Sequence, residues 1–206
     1  MHGDTNRRIY NTEECISFRK TSEQFGGLSN MAPGYRIKLY DVDILTSEAL
    51  YQSCRFPDNP EIQQEIFRQR SPMYAKDISK KYQHLTRSKW ETDRIKIMRF
   101  ALQMKLLNNW YTFGPLLKLT GSKAIVENSN KDTFWGAKLI DGHFEGTNAL
   151  GRLLMELRER YIAFEDKRII TVRPPNIENF KILKKIITPI TIDVSLQRYE
   201  INETLW

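Results

Sequence analysis

The sequence predicts a mainly α protein with a small antiparallel β portion, and three observations carry that expectation. Ile95, Met98, Leu102 and Leu106 recur at spacings of three and four through Trp90–Asn108, the signature of one long amphipathic helix. Leu150, Leu153, Leu154 and Leu157 repeat the pattern through Ala149–Phe164. The clearest alternation, Tyr35–Leu45 around Tyr40-Asp41, is long enough only for a small hairpin.

Taken in order, residues 1–15 read as a loose polar lead and Ile16–Phe18 as a short strand. Phe25–Asn30 is a turn, because paired glycines permit positive φ. Thr46 or Ser47 caps a helix that runs to about Phe56 and stops before Pro57. Pro60 opens a second helix at its favoured first position, and Ser71-Pro72 restarts a third over Met73–Lys80. Lys80–Lys89 is basic and irregular. Trp110–Leu119 is helical and ends at Gly121, Ala124–Glu127 is a short strand, and Thr147 or Asn148 caps the last helix. Arg173-Pro174-Pro175 breaks the pattern. Residues 1–166 are therefore read as one domain, with 167–206 as an appendage that packs on it, because about 40 residues rarely support a core of their own.

Composition narrows the function classes. No apolar run reaches 18 residues, so no membrane span is expected, and the polar Met1–Arg8 lacks a signal-peptide core. Cys15 and Cys54 are far apart and unpatterned, which argues against a disulfide framework and for a cytoplasmic protein. His2, His84 and His143 share no ligand spacing, so no metal and no cofactor are expected. The net charge of +7 favours an anionic partner: nucleic acid, nucleotide or phosphate.

The richest chemistry lies in Glu127–Gly136, where two carboxylates, amides and an indole precede a glycine. Asp, Asn and Lys are costly to bury without partners, so this stretch reads as a site for a ring-bearing group as readily as a loop. Asp132 serves either as a turn aspartate bonded to its own backbone or as the edge of a ring stacked on Trp135. Glu127, at a strand end, supports the loop. Arg87 and Arg94 flank Trp90, an arrangement that suits a pyrophosphate beside a stacked ring. Trp110 and Trp206 read as packing or tail residues. Asn148 as a helix cap leaves a helix N-terminus near a phosphate site. Gly26-Gly27 is not a phosphate loop, since no Gly-Lys-Ser/Thr follows.

In order from about Phe25 to Arg158, the chain resembles the NADAR, or YbiA-like, family. The motifs are Leu28-Ser29-Asn30, Ser47-Glu48 with Tyr51-Gln52, Ala75-Lys76, Trp90, Met98 to Lys105, Leu117 with Thr120-Gly121, Val126-Glu127, Asp132 with Trp135-Gly136, and Asn148 with Leu150-Gly151. The resemblance implies a single multihelical domain that hydrolyses N-glycosidic bonds. It implies as substrates ribosylated pyrimidine intermediates of riboflavin synthesis, or ADP-ribose on guanine in nucleic acid. It makes Glu48, Lys76 and Asp132 the catalytic candidates. Ser29, Asn30, Arg87, Trp90, Arg94, Trp135, Gly136 and Asn148 become the substrate-binding candidates. Glu48 would orient a ribose or move a proton; Lys76 would contact phosphate or attack the ribose C1. The chain departs from the pattern where Ala49-Leu50 follows Glu48 in place of a histidine, and where Met31 follows Asn30 in place of an aromatic.

The leading expectation is an ADP-ribosyl glycohydrolase that removes ADP-ribose from ADP-ribosylated guanine in DNA or RNA, as an antitoxin or repair activity with a transferase toxin as candidate partner. The alternatives are an N-glycosidase on ribosylaminopyrimidine phosphates and a non-catalytic ADP-ribose-binding module.

Overall fold

The computed structural model describes residues 7–198; His2 and Trp206 lie outside the described residues. Among those described, 42% are helical and 20% lie in strands, so the fold is α/β and the mainly α expectation is corrected. The cause is the kind of strand this chain uses. Each is two to four residues long, and several bury almost no side chain: β1 (Arg8–Asn11), β6 (Lys138–Ile140) and β10 (Lys185–Ile186). Such strands are held by backbone pairing, with a distant segment for β1 and across a tight turn for β6 and β10, so they carry no apolar alternation to read. The lead segment is corrected too, because Arg8–Asn11 pairs with His143–Gly146. No helix among the described residues is long and apolar enough to cross a membrane.

The chain forms two units. The first comprises Met1–Ala32 and Thr112–Glu165. Here β1 pairs antiparallel with β7 (His143–Gly146), which pairs in turn with β6. A second pair, β2 (Cys15–Phe18) and β5 (Ala124–Glu127), is parallel, in the register Cys15 to Ala124. Helix α6 (Ala149–Phe164) packs on β5 with Leu150, Leu153, Leu154 and Leu157 all buried, the face its spacing predicts. Cys15, Val126, Ala137 and Phe144 form the core beneath the strands. Arg158, 5% exposed, ties α6 to the preceding turn by donating to Thr120 Oγ1 at 2.9 Å and to the Lys123 carbonyl at 2.8 Å.

The second unit comprises Pro33–Tyr111 and Asp166–Trp206. The hairpin β3 (Ile37–Leu39) and β4 (Val42–Ile44) turns at Tyr40, whose φ is 54°. Four helices follow: α1 (Ser47–Ser53), α2 (Pro60–Phe67), α3 (Pro72–Lys81) and α4 (Trp90–Asn108). Thr46 caps α1 by accepting the Ala49 N–H at 3.2 Å, and Pro60 and Pro72 occupy first-turn positions. Helix α5 (Trp110–Leu119) begins here and continues into the first unit.

The segment after Glu165 is built from strands. Ile169–Val172 (β8) pairs with Ile190–Asp193 (β11), and Lys181–Ile182 (β9) pairs with β10. Phe180 packs edge-on against Phe100 of α4 at 5.1 Å. One fully buried side chain holds the segment to α2. Gln63 donates to the Ser53 and Lys181 carbonyls at 3.2 and 3.1 Å and accepts the Leu183 N–H at 2.7 Å. Gln63→Leu keeps the volume but strips three backbone groups of this partner, the buried Ser53 carbonyl and the half-buried Lys181 carbonyl and Leu183 N–H. We expect a loss of about 2–3 kcal/mol, the cost of leaving buried polar groups unmade. Urea unfolding measures the loss, and amide exchange should show deprotection first around residues 181–187. Unchanged exchange there would remove Gln63 as the clamp.

Candidate functional site

In the first unit the Glu127–Gly136 loop is organised by its own side chains. Asp132 Oδ1 accepts the Phe134 and Trp135 N–H groups at 3.1 and 2.9 Å, and Ser129 Oγ accepts the Asp132 N–H at 3.1 Å. The turn-forming role of Asp132 is therefore real, and it fixes where the half-buried Trp135 ring stands. Phe134 meets that ring edge-on at 5.1 Å. Gly136 is obligatory: a Cβ there would lie 2.5 Å from the Glu127 carbonyl oxygen.

Asn148 anchors this loop. It has φ 49° and ψ 45° at the N-cap position of α6, yet its side chain makes no cap hydrogen bond. Instead it reaches β5, donating to the Ile125 carbonyl at 2.8 Å and accepting the Glu127 N–H at 3.2 Å. The expected side-chain cap is thus corrected. The Asn148, Ala149 and Leu150 N–H groups donate to the carbonyls of Gly136, Phe134 and Trp135 at 2.9 to 3.0 Å. The loop itself fills the helix N-terminus, so those donors are spent. Ser29 and Asn30 belong to this unit and are buried, 5% and 4% exposed, after a 3-10 turn at Gly26–Leu28; Ser29 Oγ accepts the Met31 N–H at 3.1 Å.

In the second unit Glu48 lies in the first turn of α1, 5% exposed, and accepts from Gln52 Nε2 at 2.7 Å. Gln52 and Tyr51 follow it by four and three residues, so one helical face carries all three. Trp90, 6% exposed, packs on Tyr51 at 5.0 Å between ring centroids, and the Arg55 guanidinium lies 4.5 Å from the indole centroid. Arg55 Nη1 also reaches Gln52 Oε1 at 3.4 Å. Burial, then the Glu48 carboxylate, push the Tyr51 phenol far up, and burial draws the Arg55 guanidinium down. Glu48, Tyr51, Gln52, Arg55 and Trp90 are thus one group.

The other cations stand differently. Arg87, its side chain 8% exposed, pairs with Asp93 at 3.3 Å and donates to the Glu178 carbonyl at 2.5 Å, so it holds the C-terminal segment. Arg94 is a quarter exposed and pairs with Glu91 at 3.2 Å. Lys76 is exposed on α3. Sequence reasoning missed Arg55; its signal was its place one turn after Tyr51, in the turn that ends the helix carrying Glu48.

Lys105 of α4 is fully buried, its Nζ 4.5 Å from the Tyr35 ring centroid, and burial holds its amine well below the ordinary lysine range. A folded-state pKa below the unfolded value of about 10.4 means the unfolded chain binds the extra proton between the two. Stability therefore rises with pH across that window. Lys105→Met should lack this gain. Denaturant midpoints near pH 7 and pH 9.5 check it; an identical pH dependence in both proteins contradicts the assignment.

Comparison with known proteins bears on this arrangement. The NADAR domain family matches residues 17–161. The N-glycosidase YbiA of Escherichia coli K12 is 36% identical over 148 residues, covering 72% of this chain and 89% of that protein. A riboflavin biosynthesis protein of Vibrio vulnificus is 36% identical over 147 residues; this chain spans only 38% of its length. The solution structure of E. coli YbiA superposes with a TM-score of 0.64 at 33% identity, covering 74% of this chain and 88% of that one.

Proposed function

We propose that this chain, which belongs to the NADAR domain family, is an N-glycosidic hydrolase that frees guanine in nucleic acid from ADP-ribose, opposing a transferase toxin in the cytoplasm. Hydrolysis of an N-glycosidic bond is the activity named for YbiA, matched here along 89% of its length. The observation that supports it within this chain is Glu48: a buried carboxylate, oriented by Gln52, in the same group as an indole and a guanidinium.

The chemistry asks for few groups. Cleavage leaves positive charge on the ribose, a leaving nitrogen that takes a proton, and a water that adds hydroxide at C1 and gives up the other proton. Glu48 carries that proton in this reading and steadies the oxocarbenium-like sugar. Arg55 on Trp90, with the partly exposed Arg94, offers positive charge to phosphate. Asp132 and Trp135 remain the candidates for the edge and face of a ring. Lys76 keeps its candidacy to assist or to attack C1. The nucleic-acid substrate is supported by the net charge of +7.

A second reading, ribosylaminopyrimidine phosphates, is favoured by the riboflavin biosynthesis names among the relatives. Mass spectrometry of an ADP-ribosyl-guanine oligonucleotide decides between them. We expect loss of the ADP-ribose mass with wild-type protein and none with Glu48→Gln. An intact oligonucleotide together with ribose 5-phosphate release from a ribosylaminopyrimidine phosphate establishes the second reading. Binding of either without turnover makes the chain a binding module.

A further inference from the structure

We propose that the exposed face of α3 and its flanking turns, residues 68–89, is a docking surface for single-stranded nucleic acid; it rests on the reading of the substrate as nucleic acid given above. Arg68, Arg70, Lys76, Lys80, Lys81 and Lys89 are all exposed there, and Asp77 is the one acid within the stretch. Most of the chain's net charge of +7 is concentrated in these residues.

The fold explains why this face is open. Helix α3 packs on α1 and α2, with Ala75 and Ser79 buried at 1% and 0% exposure. They are one turn apart, so the helix docks by a narrow stripe of small side chains. The rows Met73–Lys80 and Tyr74–Lys81 are left outside, each pairing an apolar side chain with a cation two turns on. Met73 and Tyr74 are 65% and 64% exposed, and Leu85 in the following turn is 41% exposed.

Large side chains exposed among cations suit a partner with both apolar faces and negative charge. A single strand offers both, unpaired bases to stack on Tyr74 and phosphates for the lysines and arginines. A duplex hides its base faces. The acids that meet these cations do so in surface pairs: Lys80 with Asp77 at 3.3 Å, Lys81 with Glu65 at 3.8 Å and Lys89 with Glu178 at 3.0 Å. Exposed pairs of this kind are weak and give way to phosphate.

The test uses fluorescence anisotropy of an unmodified labelled twenty-nucleotide strand, a duplex of the same sequence and a labelled polyglutamate of matched charge. The proteins are wild type, Tyr74→Ala and the quadruple Arg68→Gln, Arg70→Gln, Lys80→Gln, Lys81→Gln. Tyr74→Ala should weaken single-strand binding about 5- to 150-fold, the range for one stacked base. The quadruple variant should lower the slope of log affinity against log salt by about 3, at roughly 0.7 per phosphate lost. Equal affinity for polyglutamate, tighter binding to the duplex, or unchanged binding by both variants each overturns the surface. Release of ADP-ribose is scored separately on the same proteins. Turnover without variant-sensitive binding sinks the surface and keeps the function; variant-sensitive binding without turnover does the reverse.

Discussion

Glu48→Gln is expected to cut turnover by about 10²- to 10⁴-fold, the range for losing a positioned acid or base, while leaving the fold intact. The substitution keeps the side chain's volume and an oxygen that can still accept from Gln52 Nε2, now at 2.7 Å. It removes only the ionisable group to which the proposed function gives the proton and the charge. The structural cost is small. A carboxylate in the first turn of a helix is worth about 0.3–1 kcal/mol there, and Thr46 still caps α1 through the Ala49 N–H. Gln52→Leu provides the contrast. It leaves the carboxylate but removes its tether and the contact to Arg55, so turnover should fall less, by roughly tenfold for about 1.4 kcal/mol. Single-turnover rates on the ADP-ribosyl-guanine oligonucleotide, with thermal melts of both variants, read the two effects apart. A folded Glu48→Gln protein with near-normal rates removes Glu48 from the chemistry.

How far this arrangement was legible depends on how each element is held. Helix α4 runs over Trp90–Asn108, as its apolar spacing predicts, and the Thr46 cap, Pro60 and Gly121 punctuate helices where their chemistry demands. These are local signals. Strands β1, β6 and β10 are held by partners far along the chain or by a tight turn, and no side-chain pattern announces them. The site divides the same way. The hydrogen bonds from the Phe134 and Trp135 N–H groups to Asp132 span two and three residues, so a turn aspartate could be read directly. Arg55 over Trp90 joins the turn after α1 to the start of α4, residues 35 positions apart, and only the fold brings them together. Asn148 shows a third case. Its position before α6 was legible, but the direction of its side chain was not, because a cap and a cross-strand anchor use the same residue type.

That direction makes Asn148→Ala the most damaging substitution expected in the first unit, at about 3–5 kcal/mol. Two backbone groups, the buried Ile125 carbonyl and the half-buried Glu127 N–H, lose their side-chain partner, at about 1–1.5 kcal/mol each, the lower end of the usual cost. Alanine must also hold the left-handed conformation at φ 49°, which costs an ordinary residue about 1–2 kcal/mol. Gly151→Ala attacks the same joint from the other side. A Cβ there would lie 2.1 Å from the Ile125 carbonyl oxygen and 2.5 Å from Asn148 Oδ1, so α6 must withdraw from β5. The gain in helix propensity from alanine, about 0.5–1 kcal/mol, is smaller than the strain of overpacking, about 1–3 kcal/mol. Both variants should loosen the 127–136 loop, because the Asn148, Ala149 and Leu150 N–H groups are what hold the Gly136, Phe134 and Trp135 carbonyls. Tryptophan fluorescence gives the readout that separates this from general instability. With Trp135→Phe as the reference for its share of the signal, Asn148→Ala should shift Trp135 emission to the red well below the unfolding midpoint. A variant that loses stability with Trp135 emission unchanged up to the midpoint would show that Asn148 supports β5 alone and that the loop stands by the turn at Asp132.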